Sequence, residues 1–150
     1  MTEILFYHLQ GQSIEGVLPT LLQRSLERGW RVVVQAASEE RVEALDAHLW
    51  TFREESFLPH GTWREAQARE QPILLTINDE NPNAATVRFL IDGVPLPVDA
   101  HAYQRLVLLF DGEDAEAVAL ARQGWTAGKA QGFEVTYWQA DGQGRWRQMA

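Results

Sequence analysis

The sequence predicts an α/β fold: a mostly parallel β-sheet flanked by helices, finished by a C-terminal β-hairpin. Three observations carry that expectation. The first fifty residues alternate strand-like and helix-like segments, β-α-β-α. The segment WRVVVQAA, residues 30–37, is almost continuously apolar and β-branched, as in a strand covered on both faces. The tail EVTYWQ-ADGQG-RWRQMA holds two alternating runs around a glycine-containing turn, the pattern of a hairpin.

Each element has its own signal. Ile4 to Leu9 is a short apolar run rich in strand formers, stopped by GQS. Ser13 is placed to cap a helix from about Ile14 to Arg28. Its apolar positions Val17, Leu18, Leu21, Leu22 and Leu26 recur at helical spacing, and Gly29 suits the position after its end. After the strand at 30–37, Ser38 with Glu40 and Arg41 opens a second helix carrying Val42, Leu45, Leu49 and Trp50. Residues 51–71 read as loop and irregular turn. PILLTIN (72–78) is a strand, DENPN a turn, TVRFLIDG (86–93) a short strand and RLVLLFD (105–111) a buried one. A helix then runs from about Glu113 to Gln131, with acids at its N-terminus where the helix dipole favours them, and Gly132 ends it. No internal repeat, low-complexity tract or linker interrupts this series, and the 150 residues read as one domain.

Composition narrows the function. With 45% hydrophobic residues the chain can bury a substantial core. It has no cysteine, so disulfides and thiolate metal sites are excluded. MTEILFYHL lacks a basic leader region and an apolar stretch long enough to span a bilayer, so a soluble, cytoplasmic protein is expected, with no membrane partner. The net charge is −8. A duplex-binding domain normally carries a basic footprint, so high-affinity nucleic-acid binding is not expected, although six tryptophans could stack on single-stranded bases.

Catalytic signatures do not emerge. LQGQSIEG, after the first strand, does not match a dinucleotide-binding glycine motif, and no phosphate-binding loop follows elsewhere. His8, His48, His60 and His101 form no metal spacing and read as surface or turn residues. No nucleophile elbow is present, and acid pairs such as Glu39/Glu40 are ordinary on solvated surfaces. No cofactor is expected. A nucleotide or small-molecule enzyme on the same fold is the alternative reading, since fold alone does not decide function.

The last helix is the informative one. With Val118 set at zero and about 100° per residue, Arg122 falls near 40°, Trp125 near −20° and Lys129 near 20°. Ala117, Ala121, Gly124 and Gly128 lie to one side, with Leu120 and Ala127 beyond, a small apolar arc suited to packing on a sheet. Two readings fit the cation–aromatic–cation stripe. Trp125 covers the edge of the core while the cations solvate it, or the stripe binds a ligand. On an arbitrary helix the first prevails. Here the stripe holds the only lysine of the chain, and the helix tolerates two interior glycines at up to about 1 kcal/mol each. The second reading suits a ligand with a negative charge close to an apolar group, such as a peptide C-terminus with a hydrophobic last residue. One buried aromatic contributes roughly 1.5–3 kcal/mol, and a charge-assisted hydrogen bond about as much. Ordering then costs several kcal/mol, so affinity around micromolar is expected. Phe133, Tyr137 and Trp138 are near enough to wall the site, but alternation puts Tyr137 and Trp138 on opposite sheet faces.

FYHL (6–9), the LW…ESFLPHG stretch (Leu49 to Gly61), PILLT, and LAR-x-x-W…GF (Leu120 to Phe133) ending in TYW together resemble the chi subunit family of bacterial DNA polymerase III. The resemblance runs in order through nearly the whole chain. It implies a Rossmann-like fold without nucleotide chemistry and a non-catalytic accessory role in the replisome. It implies partnership with the psi subunit of the clamp loader, and with the acidic, phenylalanine-ended C-terminal tail of single-stranded-DNA-binding protein. A DNA-repair helicase is a further partner of family members. Carried over by position, Arg122, Trp125 and Lys129 match the family's basic, aromatic and basic residues in the tail site. The family often has a cation after the aromatic, where this chain has Thr126. The psi-facing surface corresponds to Trp50, Phe57, Leu58 and Pro59. From the residues alone, that stretch is either a satellite of the core or an exposed apolar patch.

Overall fold

The structure is a computed structural model and describes residues 2–51, 58–140 and 145–150. Its elements are β1 (Glu3–Leu9), α1 (Ile14–Glu27), β2 (Val32–Gln35), α2 (Glu39–Thr51), β3 (Gly61–Thr62), β4 (Ile73–Thr76), β5 (Val87–Leu90), β6 (Arg105–Asp111), α3 (Ala115–Ala130), β7 (Glu134–Ala140) and β8 (Trp146–Gln148). One sheet takes all the strands in the order β3-β4-β2-β5-β6-β1-β7-β8. Every pairing is parallel except β7 with β8, which is antiparallel. The expected α/β architecture with a terminal hairpin is therefore the observed one.

One feature departs from the sequence reading and another lies beyond it. β3, within the stretch read as loop, pairs Gly61 and Thr62 with Leu74 and Leu75. Two residues cannot display a strand period, so only the pairing reveals it. The first β-α-β unit does not join neighbours: β5 and β6 lie between β1 and β2. Both arrive later in the chain, and their placement depends on non-local pairing that local pattern does not encode.

The helices cover the two faces of the sheet. Odd-numbered Leu9, Val107 and Leu109, with Val32, Val34, Ile73, Leu75, Val87 and Phe89, pack under α1 and α2. Even-numbered Ile4, Phe6, Leu106 and Phe110 pack under α3 with Phe133. Helix α1 contains Pro19, which has no N–H for the carbonyl of Glu15 one turn back. Nε2 of His48 lies 2.8 Å from that carbonyl and donates to it, tying α2 to α1. Arg41 adds ion pairs to Glu15 and Asp92.

Arg88, in β5, is completely buried. Its guanidinium donates to Gln35 Oε1, the Tyr103 hydroxyl and the carbonyls of Asn78 and Glu80. Gln35 passes the interaction on to Asp79. Hydrogen bonding to this extent is what makes a buried charge tolerable.

Candidate functional site: the outer face of α3

Helix α3 starts at an Asp114 cap, whose carboxylate accepts from the N–H groups of Glu116 and Ala117. Its underside is small. Ala121 and Gly128 are buried. A Cβ on Gly128 would lie 3.2 Å from Ile4 and 3.3 Å from Val135, and one on Gly124 would lie 3.4 Å from the Phe6 ring. The glycines thus let the helix approach the β1–β7 surface closely. The packed arc is narrower than the sequence suggests. Leu120 is 50% exposed and Ala127 is also exposed, because both line an open groove that separates this side of α3 from the segment Gly93–Leu96.

That close approach lifts the neighbouring arc to the surface. Trp125 is half-buried, with its ring edge-on to Phe6 at 5.8 Å and to Tyr137 at 6.0 Å. Nζ of Lys129 stands 4.7 Å from the Trp125 ring centre. Arg122, Thr126 and Lys129 are exposed. Among the described residues neither Arg122 nor Lys129 forms an ion pair. The result is a half-covered indole flanked by two uncompensated cations, a surface that can take an apolar group and an anion side by side.

β7 supplies the next wall. Tyr137 faces α3, and its hydroxyl lies 2.5 Å from Nδ1 of His8 on β1. His8 stands edge-on to Phe110, at 5.3 Å. Burial lowers the pKa of the His8 imidazole, and Asp111 acts more weakly in the opposite sense. Burial raises that of the Tyr137 phenol, and Arg122 opposes it. Trp138 points to the other face, near Tyr7. Phe133 is buried under α3, with the His101 ring stacked on it at 4.3 Å. It therefore supports the helix instead of walling its outer face.

The Trp50-to-Pro59 stretch divides. Trp50 is 49% exposed, and its ring lies 4.3 Å from that of His60. Leu58 is 2% exposed and belongs to the core under α2, so it is not part of an exposed patch. Pro59 is half-buried, and Phe57 lies outside the described residues. His60 is not the surface histidine the sequence suggests. It is buried, with Nδ1 2.6 Å from the Leu58 carbonyl and Nε2 paired with Asp46. This ring pins the chain entering β3 to α2, which draws Leu58 inward.

A groove of about 720 Å³ lies on the other flank of α3, between Leu120, Gly124 and Ala127 and the segment Gly93–Leu96. Asp92, Asp111, Asp114 and Glu116 are its charged lining residues, and no cation lines it among the described residues. No group of three metal-ligating side chains and no helix long and apolar enough to cross a membrane occurs among the described residues.

The family model described as "DNA polymerase III chi subunit, HolC" matches residues 1–136. The chain belongs to the DNA polymerase III chi subunit family. A "Probable DNA polymerase III subunit chi" of Rickettsia prowazekii (strain Madrid E) is 28% identical over 91 residues, 61% of this chain and 55% of that protein. A "DNA polymerase III subunit chi" of Pseudomonas aeruginosa PAO1 is 29% identical over 86 residues, 55% of this chain and 59% of that protein. The chain thus spans a little over half the length of these chi relatives. The chi match takes in β1 through α3, and so includes Arg122, Trp125 and Lys129. His8, which the sequence reads as a surface or turn residue, lies beside this site. Its one signal was that it stands in an otherwise apolar strand.

Proposed function

We propose that this chi-family chain is a non-catalytic, single-domain accessory subunit of DNA polymerase III. It connects the clamp-loader assembly to single-stranded-DNA-binding protein by holding that protein's acidic, phenylalanine-ended C-terminal tail on α3. The observation that carries this reading is the stripe itself: a half-exposed Trp125 with Lys129 over its ring and Arg122 one turn before, neither cation in an ion pair among the described residues. Against a net charge of −8, two exposed cations beside one ring form a local attractor for an acidic peptide. Thr126 offers a hydroxyl where the family pattern often offers a cation, so Lys129 carries more of the attraction. The psi subunit, or another clamp-loader component, docks on the surface around Trp50 and Pro59, with the His60 ring against Trp50. The same surface is available to a repair helicase.

Calorimetric titration with an acidic peptide ending in phenylalanine tests the reading. Arg122→Ala and Lys129→Ala should each weaken binding while the melting temperature holds. Unchanged affinity in both variants removes it.

The groove beside α3 favours a second reading, a small-molecule site. Its four carboxylates repel phosphate, so a neutral or cationic ligand would fit and a nucleotide would not. A saturable thermal shift with a nucleotide would contradict this and revive the enzyme reading.

A further inference from the structure

We infer that Tyr137 and His8 extend the tail site, with His8 as a positioning residue that sets the direction of the Tyr137 hydroxyl and makes tail binding respond to protonation. The inference rests on the tail-binding reading and adds to it two residues and a proton.

Geometry places the pair at the site. In the β1–β7 register Phe6 faces Tyr137 and His8 faces Gln139. The His8 ring therefore leans diagonally across the ladder to reach the Tyr137 hydroxyl, within the span of a large side chain. The other edge of the tyrosine ring meets Trp125. Phe6, Trp125, Tyr137 and His8 thus form one continuous aromatic floor beside Arg122. The imidazole cannot turn away freely. Phe110 stands at its side, and a Cβ on Gly112 would overlap its ring.

The direction of the hydrogen bond depends on the tautomer and charge of His8, and the inferred switch uses the neutral tautomer protonated on Nε2. A neutral imidazole with a bare Nδ1 accepts the phenol proton, and the phenol oxygen then presents only lone pairs outward. A carboxylate gains nothing there. When His8 takes a proton from solvent, Nδ1–H donates to the phenol oxygen. The phenol O–H is then released to donate to a carboxylate, and one positive charge joins Arg122 and Lys129. Among the described residues, the charged groups facing the pair are Asp111 at the end of β6 and Arg122 on α3, while Phe6, Phe110 and Trp125 are uncharged. Burial pushes the His8 pKa down, so the switch operates on the acid side of the ordinary imidazole range. Free carboxylates of the peptide remain ionised there.

The test is the ratio of peptide affinities at pH 5.5 and pH 7.5, measured by calorimetry with a synthetic acidic peptide ending in phenylalanine. The unaltered protein should gain about three- to tenfold on acidification. In His8→Gln the ratio should fall to about one, and in Tyr137→Phe, which keeps the imidazolium charge but loses the hydroxyl, it should fall part of the way, while His101→Gln keeps it. In parallel, the imidazole signal of His8 should titrate at higher pH when the peptide is bound. A flat profile in the unaltered protein, or a gain that survives in both variants, overturns the inference while leaving the tail reading intact. Failure of the unaltered protein to bind the peptide at either pH overturns both.

Discussion

The ammonium of Lys129 lies 4.7 Å above the ring of Trp125, one turn away on the same exposed face of α3. A cation held over an indole is partly desolvated and already placed, so an arriving carboxylate meets an organised charge. Lys129 and Trp125 should therefore couple in peptide binding. A double-mutant cycle with Lys129→Ala and Trp125→Leu is expected to give a coupling of about 0.5–1 kcal/mol at low salt. The coupling should shrink as salt screens the exposed charge. Additive losses at every salt concentration would show that the two act separately.

Gly112 follows β6 and leaves room for the His8 ring. Gly112→Ala puts a methyl group where that ring sits. Displacing the imidazole or shifting the strand end should cost about 1–3 kcal/mol in denaturant unfolding. The same substitution should break the hydrogen bond to Tyr137, visible as a shifted His8 imidazole resonance. Unaltered stability and an unaltered resonance would mean that the strand end yields without strain.

Trp50 and Leu58 come from one stretch but should behave oppositely. Leu58→Ala empties a buried position and is expected to destabilise the fold by about 2–5 kcal/mol. Trp50→Ala removes a ring that is about half exposed and should cost about 1 kcal/mol or less. Its effect should appear instead as weaker association with the psi subunit in a pull-down. Equal stability losses would show that Trp50 belongs to the core.

His48 completes a hydrogen bond that Pro19 leaves open at Glu15. His48→Ala should cost about 1–2 kcal/mol in thermal unfolding. With Pro19→Ala in place, the Glu15 carbonyl regains a partner within its own helix, and the cost of His48→Ala should fall. A cost that is the same in both backgrounds would assign the effect of His48 to packing alone.

Local pattern made much of this molecule legible. The apolar runs at β1, β2, β4 and β6 mark strands because each is covered on both faces, and α3 shows its stripe because helical period is local. What depends on distant pairing was hidden. Nothing in TVRFLIDG marks Arg88 as buried, yet its partners come from β2, from Tyr103 and from the 78–80 turn. His8 and Tyr137 meet across 129 residues, through a register that neither strand specifies alone. For Leu58 the residues alone leave core and exposed patch both open, and the choice is made by His60, which ties its neighbourhood to α2.

The sole lysine offers the most direct measurement of the central claim. Reductive methylation with a carbon-13 label tags Lys129 and the terminal amine while keeping both charges. The Trp125 ring current should already displace the Lys129 signal. On titration with an acidic peptide ending in phenylalanine, that signal should move saturably and the terminal signal should stay. A peptide lacking the final phenylalanine should move it far less. If the peptide binds and the Lys129 signal stays fixed, the tail lies elsewhere and the account of α3 fails.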